Sequence, residues 1–382
     1  MPSAHTERIL VRGVNWLGDA VMTTPALQRL RESRPHAHIT LLTHAKLKDL
    51  YQNHPSINEI RTFGSKAGPL KIGWRLRRQN YDLGLIFPNS PRSALELWFG
   101  GVKKRVGYAR PWRDWLLTQP VQSRPDELAM HKRSEIEVQE LIRTNNSSPT
   151  SYPRTAHHIY QYLHLTTAIG AQPEPVAPKI VVPTENVAKL TAKFNLSSKP
   201  GEPALWFGLN AGAEYGPAKR WPEERFTEAA IEIQRRTRCR WLIFGVHADL
   251  ELSLRITTNI YRANEKLFGV EETGKFPHVF NLAGKTSLGE LCAALKLCRV
   301  LLTNDSGPMH VAAALGTRVI VPFGSTSPEL TGPGLPGDFS HQILRVQAPC
   351  SPCFLRQCPI DFRCMTSIPV ASTVEAVLRA AR

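Results

Sequence analysis

The sequence predicts an α/β protein of two doubly wound domains, each built on a parallel sheet. A chain of 382 residues is too long for one compact core, and domains of about 150–190 residues are expected. Short apolar runs alternate with amphipathic helical stretches in both halves, which is typical of βαβ units. A proline-rich, apolar-poor segment at 171–178 separates the halves as a linker.

The first predicted domain covers residues 1–172. A strand is expected at 9–11, followed by a glycine-containing loop and a helix from Ala20 to Ser33, with further strands at 38–43 and 81–87. Because parallel strands end at one edge of their sheet, the loop after the first strand is expected to border a ligand site.

The second predicted domain covers residues 173–382 and repeats this alternation. Its expected elements are helices at 223–235, 287–297 and 373–381 and strands at 240–244, 300–303 and 318–322. A cysteine-rich segment at 350–364 precedes the closing helix. We expect the two domains to face each other across a cleft lined by the carboxyl ends of both sheets.

The most informative motif is the turn Asn304-Asp305-Ser306-Gly307-Pro308, which links the strand at 300–303 to a helix at 309–315. Its residue types favour a helix start, because Asn, Asp and Ser cap helices and Pro suits the first turn. Free backbone N–H groups and the positive end of the helix dipole then meet at one point, which favours a phosphate. The alternative is an ordinary strand-to-helix turn without a ligand.

Composition limits the class of protein. No apolar run approaches the roughly 18 residues of a membrane span, and the N-terminus lacks a signal-peptide core. Seven cysteines, an odd number, argue against a secreted disulfide framework. We therefore expect a cytoplasmic protein.

The net charge of +16 requires an explanation, and for any single basic cluster a solvated surface is the favoured one. No helix-turn-helix, zinc-finger or RNA-recognition signature accompanies the basic residues, so nucleic acid is not the expected partner. A phosphorylated substrate or an anionic membrane face explains the charge equally well.

Two loops are candidate site segments, one in each half. Gly18 and Asp19 follow the first strand, and the glycine-rich loop 212–222 contains Lys219. The Gly13–Asp19 loop lacks the spacing of a dinucleotide-binding or Walker motif, and the basic loop 212–222 precedes a helix and suits an anion. The plain alternatives are a helix cap for Asp19 and a surface position for Lys219.

Several of these segments together resemble one enzyme family. They are Asn15-Trp-Leu-Gly-Asp-Ala-Val-Met-Thr-Thr-Pro25, Lys219-Arg-Trp-Pro222, Asn304-Asp-Ser-Gly-Pro-Met-His-Val-Ala-Ala-Ala-Leu315 and Cys350-Ser-Pro-Cys353-Phe-Leu-Arg-Gln-Cys358-Pro. With these motifs the chain resembles the ADP-heptose:lipopolysaccharide heptosyltransferases of glycosyltransferase family 9. Within the family it is most similar to the group that adds the second heptose.

The resemblance implies a GT-B fold and an inverting transfer of L-glycero-D-manno-heptose from ADP-heptose to heptosyl-Kdo-lipid A in a Gram-negative cell. By position it makes Asp19 the catalytic base, beside Gly18 in the acceptor site. The donor residues that it implies are Lys219, Ser306 and Gly307 at the pyrophosphate, Asp305 at the sugar hydroxyls, His310 in the donor pocket, and Gly245 to Asp249 near the ribose.

Arg110 and Arg113, next to Trp112 and Trp115, suit a phosphorylated, lipid A-linked acceptor at the inner membrane surface. Peripheral attachment to that membrane is therefore compatible with the sequence. We expect Arg110 and Arg113 to contact the acceptor rather than the nucleotide.

Catalysis is expected to need no metal. The chain has no Asp-x-Asp pair, so Lys219 and the helix dipole would take the place of a divalent ion. Cys350, Cys353, Cys358 and Cys364 are enough for a zinc site in principle, but the second pair lacks the common spacing. A reduced, packed or acceptor-lining loop is the favoured alternative.

Three other functions remain open on the sequence alone. The first is a family 9 transferase with another donor or acceptor, and the second is a nucleotide-sugar epimerase of the same architecture. The third is a nucleic-acid-binding protein, suggested by the charge alone.

Overall fold

The computed structural model describes residues 6–128, 130–145, 152–196, 205–275 and 277–382. The backbone forms two compact units: the first unit is Met1–Leu128 with Thr155–Val181, and the second is Ala129–Arg154 with Val182–Arg382. Among the described residues, no helix combines the length and apolar character needed to cross a membrane.

Residues up to 181 contain six strands and seven α-helices in the described part of the chain. In order they are β1 (Arg8–Arg12), α1 (Leu17–Met22), α2 (Thr24–Ser33), β2 (His38–His44), α3 (Lys48–Tyr51), β3 (Glu59–Phe63), α4 (Pro69–Arg77), β4 (Leu83–Ile86), α5 (Pro91–Phe99), β5 (Lys104–Tyr108), β6 (Gln119–Val121), α6 (Glu135–Thr144) and α7 (Ile159–Thr167).

The remaining described residues contain six more strands and nine more α-helices. They are α8 (Thr184–Lys193), β7 (Trp206–Asn210), α9 (Glu223–Thr237), β8 (Arg240–Ile243), α10 (Leu250–Phe268), α11 (Val270–Lys275), β9 (Val279–Asn281), α12 (Leu288–Leu297), β10 (Val300–Thr303), α13 (Gly307–Ala314), β11 (Arg318–Pro322), α14 (Pro328–Thr331), β12 (Gln342–Leu344), α15 (Arg363–Thr366) and α16 (Val370–Ala381).

Each unit contains one six-stranded parallel sheet, which confirms the predicted α/β class. The strand orders are β3-β2-β1-β4-β5-β6 and β12-β11-β10-β7-β8-β9. The order reverses between β1 and β4 in the first sheet and between β10 and β7 in the second. Ligands of open α/β sheets bind outside the carboxyl ends of the strands at such a reversal. Asp19 follows β1, and the Asn304 turn follows β10.

The central strands are buried along their length because helices cover both faces of a parallel sheet. Every residue of β7 and of β10 is buried. Apolar runs of this kind are clear in the sequence, and the predicted strands at 300–303 and 318–322 coincide with β10 and β11.

The helix predicted from Ala20 to Ser33 is instead two helices, α1 and α2, that meet at Thr23. Pro25 has no N–H to donate to the Val21 carbonyl, and the Thr24 hydroxyl donates to that carbonyl at 2.8 Å. The residue that caps α1 is Trp16, so Asp19 lies in the first turn and is not the cap. The capping alternative for Asp19 is therefore wrong.

The border between the units differs from the predicted one after residue 172. The chain passes from the first unit to the second between Val181 and Val182, and the segment Ala129–Arg154 also belongs to the second unit. Val138 of α6 is part of the second unit's core, and the Arg133 N–H donates to the Cys353 carbonyl at 3.0 Å. These contacts join residues far apart in sequence, which local composition does not reveal.

A buried ion pair fixes the loop after β1 in the first unit. The Arg12 Nε lies 2.6 Å from a Glu96 carboxylate oxygen, and both side chains are almost fully buried. Arg12 also donates to the Gly13 carbonyl. Glu96 lies on α5, so this pair anchors the start of the Gly13–Asp19 loop to a helix of the same unit.

We expect Glu96→Ala to destabilise the protein by about 3–5 kcal/mol, because it leaves the Arg12 charge buried without its partner. Urea denaturation followed by circular dichroism measures the shift in the unfolding midpoint. Glu32→Ala is the control, because Glu32 is about half exposed and its pair with Arg29 is worth less than about 1 kcal/mol. Equal midpoints for both variants would show that the Arg12–Glu96 pair is not a structural anchor.

Candidate functional site

Three loops of the second unit meet at the side chain of Asn304, which is completely buried. Its Oδ1 accepts from the Trp221 N–H at 2.9 Å, and its Nδ2 donates to the Ala211 carbonyl at 2.7 Å. Asn210, at the end of β7, donates to the hydroxyls of Thr303 and Ser306, each at 3.1 Å. The loops after β7 and β10 and the segment containing Lys219 are therefore held in one arrangement.

Lys219 and Asp305 form a close ion pair in this arrangement. The Lys219 Nζ lies 2.6 Å from Asp305 Oδ2, with 13% and 5% of the two side chains exposed. The Thr326 hydroxyl donates to the same carboxylate oxygen at 2.6 Å. The ammonium also lies 4.9 Å from the centre of the Tyr215 ring. The surface alternative for Lys219 is thus wrong, because Lys219 is mostly buried beside the Asn304 turn.

The N-terminus of α13 lies next to this pair. Ser306 caps the helix with extended backbone but makes no side-chain capping bond. In the described part of the chain, no protein acceptor takes the backbone N–H of Ser306 or Gly307. Pro308 has no N–H, and His310 is buried in the first turn. Two unused N–H groups, the helix dipole and an ammonium group together favour a bound phosphate.

Gly245 and Asp249, predicted near a ribose, follow β8. Asp249 is buried and accepts from the Val246 N–H at 3.2 Å and from Arg220 at 3.3 Å. Gly212 lies directly against this carboxylate, where a Cβ atom would not fit. Asp249 therefore links the loops after β7 and β8, and its ribose contact stays a prediction.

In the first unit Asp19 follows β1, one of the two strands at the reversal, and is half-buried in the first turn of α1. The Tyr162 hydroxyl of α7 donates to Asp19 Oδ1 over 3.4 Å, a long hydrogen bond. Burial, reinforced by the Asp19 charge, raises the pKa of Tyr162 well above its usual range, so this hydroxyl stays protonated.

His158 also belongs to the surroundings of Asp19. Burial lowers the pKa of His158, while the charges of Asp19 and Glu127 act to raise it. Sequence analysis does not identify Tyr162 or His158 as site residues. Their only local signal is a helix with aromatic and histidine residues, and their distance in sequence from Asp19 hides the contact.

The two predicted acceptor arginines have different surroundings. Arg113 is completely buried, its Nη1 donates to the Pro88 carbonyl at 2.8 Å, and burial lowers its pKa to about 10. The expectation that Arg113 offers its charge to an acceptor at the surface is therefore not met. Arg110 keeps 33% of its side chain exposed while donating to Ser123 and Glu127. Gly18 is half-buried beside Asp19.

The seven cysteines are free thiols. Burial, together with the neighbouring thiols, raises the pKa values of Cys350 and Cys353, and that of Cys364 to about 12. Within the described ranges, no group of three or more His, Cys, Asp or Glu residues is arranged to hold a metal ion.

Comparison with known proteins gives consistent matches. The family model for glycosyltransferase family 9 (heptosyltransferase) matches residues 70–362. Lipopolysaccharide heptosyltransferase 2 of Escherichia coli (strain K12) is 28% identical over 334 residues, which cover 85% of each chain. The structure of E. coli ADP-heptose LPS heptosyltransferase II has a TM-score of 0.74 at 25% identity and covers 98% of both chains.

A family 9 glycosyltransferase from Veillonella parvula DSM 2008 also has a TM-score of 0.74, at 21% identity, covering 98% of this chain and 97% of that one. This second structure supports the fold alone, which is the predicted GT-B class. The family model spans more than half of the chain and includes Lys219 and the Asn304 turn. The protein is therefore an enzyme, and it belongs to glycosyltransferase family 9.

Proposed function

We propose that this glycosyltransferase moves L-glycero-D-manno-heptose from ADP-heptose to the heptosyl-Kdo-lipid A core of lipopolysaccharide, with inversion at the sugar. The relatives named heptosyltransferase 2 support the reaction. The observation that carries the proposal is the phosphate-binding arrangement of Lys219, Ser306 and Gly307 at the strand-order reversal of the second sheet.

The donor's diphosphate fits the N-terminus of α13. The N–H groups of Ser306 and Gly307 would donate to the phosphate oxygens, and the Lys219 ammonium would neutralise the charge that builds on the departing β-phosphate. Once Lys219 has turned to the phosphate, Asp305 would accept hydrogen bonds from the sugar hydroxyls while it keeps the one from the Thr326 hydroxyl. His310 would line the donor pocket, and Gly245 to Asp249 would border the ribose.

The base is Asp19 in this proposal. As the acceptor oxygen forms its bond to the anomeric carbon, its proton passes to the Asp19 carboxylate, the bond to the β-phosphate breaks, and ADP leaves. Tyr162 is a positioning residue, because its hydroxyl donates to Asp19 Oδ1 and helps to orient the carboxylate. No step requires a metal ion, since Lys219 and the helix dipole stabilise the leaving group.

The acceptor in this proposal is phosphorylated and anchored by lipid A in the inner membrane, and the enzyme works on its cytoplasmic side. Arg110, with its partly exposed guanidinium, is the better candidate for an acceptor phosphate. Arg113 instead supports the Pro88 loop from inside. Gly18 would lie beside the acceptor hydroxyl, and no nucleic acid takes part.

Incubation with ADP-heptose and mono-heptosylated Kdo-lipid A tests the proposal. We expect ADP release together with a product heavier by one heptose. ADP release without a heavier acceptor, or transfer only from another nucleotide sugar or to another acceptor, would replace the proposed reaction with a different family 9 activity.

Substitutions in the two units should separate chemistry from donor binding. We expect Asp19→Asn to lower kcat by about 10²–10⁴-fold with an unchanged Kd for ADP, because only proton removal is lost. Lys219→Met should weaken ADP binding, measured by calorimetry, by at least about tenfold. Lys266→Met, on the exposed side of α10, is the control and should change neither value. Loss of ADP binding in Asp19→Asn would argue against this division of roles.

Removing the Tyr162 hydroxyl should slow transfer modestly. We expect Tyr162→Phe to lower kcat by about 2–10-fold, as for one lost hydrogen bond, with ADP binding unchanged. The ring keeps its edge contact with Phe87 at 5.4 Å, so folding should be preserved. Tyr160→Phe on the same helix is the matched control. Wild-type turnover in Tyr162→Phe would remove Tyr162 from the positioning of Asp19.

Chelation should leave turnover unchanged, because the charge on the leaving ADP is stabilised by protein groups. The measurement is the initial rate of ADP release after dialysis against EDTA, with and without added magnesium. A rate lost in EDTA and restored by magnesium would contradict the metal-free mechanism.

A further inference from the structure

The first unit exposes an unusual group of large apolar side chains on α4, on α5 and in the turn after β5. We call this group the tryptophan face, and its members are Leu70, Trp74, Trp98, Trp112 and Trp115. Trp74 is 64% exposed, Trp112 is 86% exposed and Trp115 is 68% exposed. By contrast, Trp221 and Trp241 are buried in the core of the second unit.

Direct contacts join Trp98 to Trp115 and join the two helices that carry Trp74 and Trp98. The rings of Trp98 and Trp115 meet edge to face with centroids 6.2 Å apart. Gly73 of α4 lies tightly against Phe99 of α5, immediately beside Trp74 and Trp98 in sequence. Exposed apolar groups clustered in this way mark an interaction surface, whereas single exposed residues need no explanation.

Positive charge surrounds these rings. The exposed cations on α4, at its C-cap and on α5 are Lys71, Arg75, Arg77, Arg78 and Arg92, and Lys103 and Lys104 lie at the start of β5. Fewer acids lie nearby: Glu96 is buried against Arg12, Asp82 pairs with Lys103, and the exposed Asp114 accepts from the Arg110 backbone N–H. The tryptophan face is therefore cationic overall and complements an anionic surface.

Two details indicate that the rings are held ready for contact. The Arg78 guanidinium lies 5.3 Å from the centre of the Trp74 ring, one helical turn away, so ring and cation project together. Trp112 adopts a left-handed backbone with φ of +68°, which is costly for a bulky residue. The most exposed ring of the face is thus kept at a strained position.

We propose that the tryptophan face docks this unit on an anionic lipid bilayer, with the indole rings among the headgroups and the cations against lipid phosphates. Indoles prefer this interface because each has an apolar body and one polar N–H. Leu70 and Trp74, one turn apart on α4, give that helix an exposed apolar stripe of the kind that lies in a membrane surface.

The inference deepens the proposed function, since a lipid A-linked acceptor lies in the same bilayer. Its test is nevertheless independent of heptose transfer, because binding to vesicles needs neither donor nor acceptor. Failure of docking and failure of transfer therefore give separate results.

The experiment is co-sedimentation of the full chain with vesicles of phosphatidylethanolamine and phosphatidylglycerol, compared with neutral phosphatidylcholine vesicles. We expect at least about tenfold tighter binding to the anionic vesicles, weakened by salt. Trp74→Ala with Trp98→Ala, and separately Lys71→Glu with Arg75→Glu, should each weaken binding by at least about tenfold. Phe339→Ala, an 88% exposed aromatic of the second unit, is the control and should bind like the wild type.

Circular dichroism and thermal unfolding establish that the variants are folded, and transfer to a delipidated, water-soluble acceptor should proceed at the wild-type rate. Equal binding by wild type and both variants, or no preference for anionic vesicles, would overturn the proposal. Tight binding of the tryptophan face to single-stranded nucleic acid in place of vesicles would overturn it as well.

Discussion

The donor site depends on one buried amide, that of Asn304. Its two polar atoms hold the backbone of Trp221 and of Ala211, so a single side chain fixes three loops of the second unit. Other conformations of these loops would leave the buried Asn304 amide without hydrogen-bond partners, which costs free energy. The observed arrangement is therefore strongly favoured. Because Lys219 precedes Trp221 by two residues and Asp305 follows Asn304 directly, the same bonds place the ammonium beside the N-terminus of α13.

The Lys219–Asp305 ion pair matters for donor binding more than for the stability of the fold. A buried ion pair gains little net free energy, because desolvation offsets most of the attraction. The pair can therefore change partners when a diphosphate binds. The diphosphate offers Lys219 a more highly charged partner, and the Thr326 hydroxyl still donates to Asp305. The two sheets share one topology, in which β1 corresponds to β7 and β4 to β10. Asp19 therefore lies in the loop of the first unit that corresponds to the Lys219 loop of the second.

Local patterns predicted the features that depend on local chemistry. The apolar runs of β10 and β11 fixed their bounds, and the capping residues after β10 indicated the helix start, although α13 begins at Gly307 and not at Met309. The break between α1 and α2 was missed although Pro25 signals it. Contacts between distant segments were not predictable: α6 packing into the second unit, the complete burial of Arg113, and Tyr162 donating to Asp19.

A structure of the protein with bound ADP would show whether the Asn304 turn holds the diphosphate. We expect the β-phosphate within hydrogen-bond distance of the Ser306 and Gly307 N–H groups and of the Lys219 ammonium, with Lys219 released from Asp305. Asp305 should keep the hydrogen bond from Thr326. A diphosphate bound elsewhere, or a Lys219–Asp305 pair left intact at 2.6 Å with ADP in place, would contradict this donor site.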